Sequence, residues 1–273
     1  MIDLHLHTTA SDGLLDPAAL VARAAACGLQ TISVTDHDTC AGLAEAIAAA
    51  GPHGIRLIAG VEITAVEDGR DVHMLAYFVD PACPALIDFL AAQRSQRADR
   101  IREIGTRLAI LGYAIDAEAL VAPMIVGGGR SVGRPQIADA LVRGGWVRDR
   151  DDAFERLLGA GRPAFVPRRG PPPEAVLSVV RQAGGLVSMA HPGLTALDHI
   201  IPRLAASGLQ ALEARHSEHV PETEDRYRRL AAEHGLAVSG GSDFHGDVGR
   251  RATALGRVTL PASDFAALEA RRP

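Results

Sequence analysis

Histidine in this sequence is placed rather than scattered. Six of the eleven histidines stand within or just beyond a short apolar run: His5 and His7, His37, His73, His191 and His245. Each run has the length and β-branched content of a strand. His5 and His7 are two apart, so in a strand they project to the same side. Three carboxylates keep the same company: Asp12 in the loop after the first run, Glu62 closing the third, and Asp243 just before His245. Such ligands, drawn from both extremities of a chain, require a fold that opens consecutive strand ends onto one face. A parallel β/α barrel does this at the C-terminal ends of its strands. Nine potential metal ligands then converge at that mouth.

The rest of the chain supplies the rhythm such a frame needs. Strands are expected at Ile2–Leu6, Thr31–Thr35, Leu57–Val61, Val72–Phe78, Leu186–Ala190, Ala211–Ala214 and Ala237–Gly240. Asp16-Pro17 provides an N-cap and a first-turn proline for a helix over Ala18–Cys27, which Gly28 ends. Further helices are expected at Gly42–Ala50, after Pro171-Pro172-Pro173, near Ile200–Ala206, at Glu222–His234 and at Leu260–Ala270. Alternation of this kind indicates parallel α/β construction. The rhythm breaks at Asp80-Pro81. There follow a long helix from Ala85 to about Leu111, a Gly127-Gly128-Gly129 break, and helices at Pro135–Arg143 and around Asp151–Leu158. This block carries no strand signal and reads as a helical subdomain, residues 81–163, inserted into a frame made of 1–80 and 164–273. The arginines of the long helix (Arg94, Arg97, Arg100, Arg102, Arg107) read as a mostly solvated face.

Composition removes several chemistries. All 28 basic residues are arginine, so Schiff-base and lysine-dependent phosphate-loop mechanisms have no residue to use. A net charge of −5 gives no bulk attraction for nucleic acid. The three cysteines, Cys27, Cys40 and Cys83, are odd in number and unpaired in spacing, against a disulfide framework or a zinc ribbon. A strand begins directly after Met1 and no apolar run could span a bilayer, so the expected location is cytoplasmic, away from membranes. Histidine and carboxylate ligands without thiolate suit Zn, Mn or Fe. Three such ions would outweigh Asp12, Glu62 and Asp243 in charge, and the excess would attract a phosphate. Of the other histidines, His53, His199 and His234 read as surface. His216 and His219 read as solvated residues of the loop after the sixth strand, with His219 kept as a candidate substrate contact.

The motifs His5-Leu6-His7, Ser11-Asp12-Gly13, Thr35-Asp36-His37-Asp38, Gly60-Val61-Glu62, Ala190-His191-Pro192 and Gly241-Ser242-Asp243-Phe244-His245 together resemble the PHP (polymerase and histidinol phosphatase) family. Within it the chain is similar to small bacterial nucleoside 3′,5′-bisphosphate phosphatases and 5′→3′ exoribonucleases acting on short RNA, over essentially its whole length. The resemblance implies a distorted seven-stranded (β/α)7 barrel with two to three divalent ions (Mn, Zn or Fe). His5, His7, Glu62 and Asp243 would hold the first ion, and Glu62 would bridge to a second completed by His73 and His191. Asp12, His37 and His245 would hold the third. It also implies a metal-bridging hydroxide as nucleophile, with no catalytic protein side chain. Asp12, where other branches carry histidine, favours a small nucleotide or short RNA as substrate. Gly133-Arg134-Pro135-Gln136-Ile137-Ala138 resembles the family's Gly-Arg-Pro-His-Ile-Ala segment. Arg134 is thus a candidate phosphate clamp, Gln136 departs from the family histidine, and Arg97 is a candidate backbone-phosphate contact. No obligate protein partner is implied. Three other readings stay open: a histidinol-phosphatase-like or other small-molecule phosphomonoesterase, an amidohydrolase-like metal hydrolase, and a non-catalytic metal-binding structural module.

Overall fold

Seven strands form one sheet in strict chain order: β1 (Ile2–Leu6), β2 (Thr31–Val34), β3 (Arg56–Glu67), β4 (Arg70–Tyr77), β5 (Leu186–Met189), β6 (Ala211–His216) and β7 (Ala237–Gly241). The computed structural model describes residues 1–125, 129–248 and 251–273, so Gly127 and Gly128 of the expected break lie outside the described residues. The sheet curls until its edges meet. His7 N donates to Phe244 O at 3.0 Å and Ser242 N to the Asp3 carboxylate at 2.9 Å, giving a nearly closed barrel. Gly241 permits that seam, because a Cβ there would fall 2.4 Å from the backbone nitrogen of His5.

The expected all-parallel frame is corrected at one strand. β1–β2, β2–β3, β5–β6 and β6–β7 are parallel, but β4 runs antiparallel to both β3 and β5. The cause is local. Asp68 and Gly69 both have positive φ (48° and 72°) and form the two-residue turn of a hairpin, for which Asp-Gly is a strong signal. β3 therefore runs past Val61 to Glu67, 12 residues in all, and Glu62 lies inside it rather than at its end. Reversal of β4 is also what brings His73, in its first half and opposite Thr64, to the mouth.

Helices α1 (Pro17–Ala26) and α2 (Leu43–Ala50) pack Leu20, Val21 and Leu43 on Leu6, Ile32 and Val34. The Asp16 carboxylate caps α1 by accepting from Ala19 N at 2.7 Å. The chain then leaves the barrel for α3 (Pro84–Ile110), α4 (Ala117–Ile125), α5 (Arg134–Arg143) and α6 (Arg150–Ala153), the last continuing as a π-helical turn over Phe154–Leu158. α4, with Pro123 inside it, adds to the expected elements. These helices share an apolar cluster of their own that includes Ile101, Ile104, Leu108, Val121, Ile137, Leu141 and Leu158. Back at the barrel, α7 (Pro173–Gln182), the short α8 (Pro192–Thr195), α9 (Ile201–Ala206), α10 (Pro221–Glu233) and α11 (Ala262–Glu269) complete the shell. Val61, Ile63, Met74, Met189 and Leu212 face outward against Val176, Val180, Leu204 and Tyr227. The alternate residues face inward: Glu62 opposite Leu75, Leu75 opposite Ser188, and Glu213 opposite Ser239. Ser188 and Ser239 hydrogen-bond to each other at 2.7 Å across this interior. No helix among the described residues is long and apolar enough to cross a membrane.

Candidate metal centre

Glu62 is the hub of the mouth. Its Oε2 lies 3.2 Å from His5 Nε2, 3.2 Å from His7 Nε2 and 3.1 Å from His37 Nδ1. Its Oε1 lies 2.9 Å from His73 Nδ1 and 3.2 Å from His191 Nε2. Five imidazole nitrogens thus crowd one buried carboxylate, more than its roughly four lone-pair sites can serve. Asp243 Oδ1 stands 3.3 Å from His5 Nε2 and 3.1 Å from His7 Nε2. Asp12 sits 3.2 Å from His245 Nε2 and 3.7 Å from His37 Nε2.

All nine residues expected from the sequence are therefore in one cluster. Donor atoms of eight of them fall into three groups, each compact enough to hold an ion: His5, His7, Glu62 and Asp243; His7, Asp12, His37 and His245; and His37, Glu62 and His73. His191 joins none of these, and His5 forms a further such group with Glu213 and His216. His37 faces Glu62 with one ring nitrogen and Asp12 with the other, so it stands between two groups rather than in the third alone. His191 approaches the same Glu62 oxygen as His73, its ring edge-on to that of His73 at 5.2 Å between centroids.

The chemistry of this donor set fits a cation. His7 Nε2, His37 Nδ1, His73 Nδ1 and Asp243 Oδ1, each close to another member of the cluster, are buried and make no hydrogen bond. Such close approach without hydrogen bonding is how lone pairs aimed at a common centre are arranged. Burial opposes charge on the three carboxylates, yet the surrounding imidazoles hold Glu62, Asp12 and Asp243 well below the usual carboxylate range. Burial likewise opposes a proton on His7, but Asp243 and Glu62 raise it to about 10. Burial keeps His37 neutral, at about 3. Without an ion, protonated imidazole such as His7 balances the ionised carboxylates, and a bound cation would displace that proton.

Several residues of the site carry no ligand-like spacing. Glu213, fully buried in β6, bonds His5 Nδ1 at 2.9 Å and His191 N at 2.7 Å. An acidic residue inside the apolar run Ala211-Leu212-Glu213-Ala214 was the available signal. His216 corrects the solvated-loop expectation. It ends β6, is buried, accepts from Glu218 N at Nδ1 (3.1 Å) and so presents Nε2–H to Asp243 Oδ2 at 3.2 Å. Asp36 accepts from Thr8 N, Thr8 Oγ1 and Ser11 Oγ, fixing the loop that carries Asp12. Asp38, at φ 51°, accepts from Arg97 Nε at 2.6 Å, Arg168 Nη2 at 2.7 Å and Thr64 N at 2.8 Å.

The Asp38 network makes a testable prediction. Asp38→Asn leaves two guanidiniums without their buried counter-charge and should cost about 3–5 kcal/mol at pH 7 by denaturant titration. Burial opposes ionisation of Asp38, but Arg97 and Arg168 hold its carboxyl well below the usual range. A depressed carboxylate contributes fully above its unfolded pKa of about 4, and its contribution is lost as pH falls toward the lower folded value. The gap between parent and variant should therefore be widest at neutral pH and close only in strong acid. Equal stability at pH 7 would contradict the network.

Beside the cluster lies a cavity of about 150 Å³ lined by Arg97, Arg100, Arg134, Arg168 and Asp71. It shares Asp12, His37, His73, Pro135 and Phe154 with the wider cavity, about 490 Å³, over the metal ligands. Arg134 stacks between Phe154 and Phe165, 5.6 and 5.8 Å from their ring centres, with Asp71 at 3.8 Å. Burial first, and Arg134 beside it second, bring Arg100 down to about 10. Arg94, Arg97 and Arg100 correct the solvated-face expectation. They lie along the same side of α3 as Ala98, Ile101 and Ile104 and turn inward with that apolar stripe.

Two expected substrate contacts are placed otherwise. Gln136 donates to Ser11 O and accepts from Gly133 N, both at 2.8 Å, so its amide is spent on capping α5 and tying it to the Asp12 loop. His219 donates from Nδ1 to Ala214 O at 2.8 Å and stacks on Tyr227, and it lines neither cavity.

Residues 3–119 match the model of the PHP domain. The chain is 35% identical over 256 residues to the 3′,5′-nucleoside bisphosphate phosphatase of Chromobacterium violaceum, covering 91% of this chain and 89% of that one. It is 35% identical over 253 residues to the 5′–3′ exoribonuclease Rnm of Escherichia coli, covering 89% and 84%. A solved structure from Bifidobacterium adolescentis, assigned as a metal-dependent phosphoesterase, superposes with a TM-score of 0.89 at 34% identity, over 100% of this chain and 96% of the other.

Proposed function

The chain belongs to the PHP family of metal-dependent phosphoesterases, and on that premise we propose that it hydrolyses a phosphate ester of a small nucleotide or short RNA carrying a second phosphate one nucleoside away. One observation carries this reading: the four-arginine cavity opens through Asp12, His37 and His73 onto the histidine–carboxylate cluster. A 3′,5′-bisphosphonucleotide and a 5′-phosphorylated RNA end share that two-phosphate chemistry, and the relatives include a 3′,5′-nucleoside bisphosphate phosphatase and a 5′–3′ exoribonuclease.

His5, His7, Glu62 and Asp243 would hold one divalent ion, Glu62 with His73 and His191 a second, and Asp12, His37 and His245 a third, as Mn, Zn or Fe. When bound, such ions supply Lewis acidity at phosphoryl oxygens and lower the pKa of water. The protein's own groups do the rest. Arg100 and Arg134, stacked and held by Asp71, grip the phosphate that is not cleaved, since a guanidinium matches phosphate bidentately. Arg97 and Arg168 are anchored by Asp38 and add positive potential without having to move. No Ser, Thr, Cys or Tyr is among the described residues lining either cavity, which accords with direct transfer to water. Residues 81–163 act as an inserted subdomain that delivers Arg97, Arg100 and Arg134 to the barrel mouth.

The test is a substrate panel. The Mn²⁺-loaded enzyme is offered a 3′,5′-bisphosphonucleotide, a 5′-phosphorylated oligoribonucleotide and histidinol phosphate. We expect release from one or both of the first two and little from the third. Activity on histidinol phosphate alone, or none at all with metal bound, refutes the proposal.

A further inference from the structure

Glu213 lies outside the ligand set, yet its carboxylate touches two members of it. Its Oε1 accepts from His5 Nδ1 at 2.9 Å and its Oε2 from His191 N at 2.7 Å. His5 then presents Nε2 to Glu62 Oε2, while His191 presents Nε2 to Glu62 Oε1, so the two histidines serve opposite oxygens of the hub. His191 stands just past the end of β5 with φ at 28°, a backbone setting that side-chain-bearing residues resist. The hydrogen bond its backbone N–H donates to Glu213 Oε2 holds it there.

We propose, resting on the metal-centre reading above, that Glu213 is the positioning residue that sets His5 and His191 together for two neighbouring ions. A carboxylate accepts at both oxygens and donates at neither. The first bond requires the ring proton of His5 on Nδ1 and leaves Nε2 to ligate. The second fixes the amide of a ligand on the far side of Glu62. One rigid group thereby couples the geometry of two metal positions, as outer carboxylates do for metal-bound imidazoles in general.

Glu213→Gln keeps the shape and removes this capacity. If the amide oxygen serves His5, the NH₂ meets the His191 N–H donor against donor. If the amide turns over, its NH₂ faces His5 Nδ1, and the ring proton moves to Nε2, where ligation needs a lone pair. Glu213→Asp is one methylene too short to reach both partners.

Metal affinity is measured by calorimetric titration of Mn²⁺ and Zn²⁺ into metal-free parent and E213Q. We expect binding to weaken by about 10- to 100-fold in E213Q, with E213D closer to E213Q than to the parent. Separately, ¹⁵N spectra of the Zn²⁺-loaded parent should show His5 protonated at Nδ1 and ligating through Nε2. Parental affinity in E213Q, or a His5 proton on Nε2 in the loaded parent, overturns the proposal. Should E213Q fail to fold, the parent's spectrum decides. A parent that binds neither metal overturns the metal-centre reading itself.

Discussion

Glu62→Gln is expected to lower turnover of the best substrate in the panel by at least about 10³-fold, equivalent to some 4 kcal/mol of barrier. The magnitude follows from its position. Five imidazole nitrogens converge on its two oxygens, and its carboxylate is held ionised against burial by His37, His73 and His5. An amide carries no charge and can offer only one oxygen to a cation held among those nitrogens. Its NH₂ would turn donors toward whichever ion the other side should hold. Metal content after equilibration with Mn²⁺ should fall by at least one ion per chain. The helical and sheet content by circular dichroism should be retained, because outward-facing Val61 and Ile63 keep the β3 packing unchanged. Full metal content with full activity in this variant would refute the proposed metal-holding role of Glu62.

The clustered histidines and carboxylates were legible in the sequence because such residues are costly in apolar strands and therefore stand out. His5, Glu62 and His73 stand inside apolar strands, and His7, His37, His191, Asp243 and His245 stand just beyond them. Strand direction was less legible. Nothing in the apolar content of Val72–Phe78 distinguishes a strand entering the sheet from one leaving it, and only the Asp68-Gly69 pair carries that information. The supporting residues were harder still. Glu213, His216 and Asp38 act through partners distant in sequence: Glu213 through His5, His216 through Asp243, and Asp38 through Arg97 and Arg168. A pattern of spacing cannot encode such pairings. The inward turn of Arg97 and Arg100 is of the same kind. A helix this rich in arginine reads as solvated until the carboxylates at Asp38 and Asp71, from other elements, are seen to face it.

Those arginines carry the second large effect. The double variant Arg100→Ala with Arg134→Ala is expected to raise KM for a 3′,5′-bisphosphonucleotide by about 100-fold, a loss near 3 kcal/mol, in line with two charge-assisted hydrogen bonds that are partly offset by solvation. The same pair of changes should leave KM for a nucleoside monophosphate within about threefold, since that substrate places no phosphate in the arginine cavity. The physical basis is that Arg100 and Arg134 crowd against each other and, among the described residues, share Asp71 as their one carboxylate partner, so like charge is concentrated where an anion would relieve it. Arg134→Lys should recover only part of the affinity, because an ammonium keeps the charge but loses both the bidentate grip and the stacking between Phe154 and Phe165. Steady-state kinetics on the two substrates separate the possibilities. A proportional rise in KM for both would mean that the arginines hold the insertion in place rather than the substrate. An unchanged KM for both would remove the second phosphate from the reading altogether and leave the cluster around Glu62 acting on a monoester.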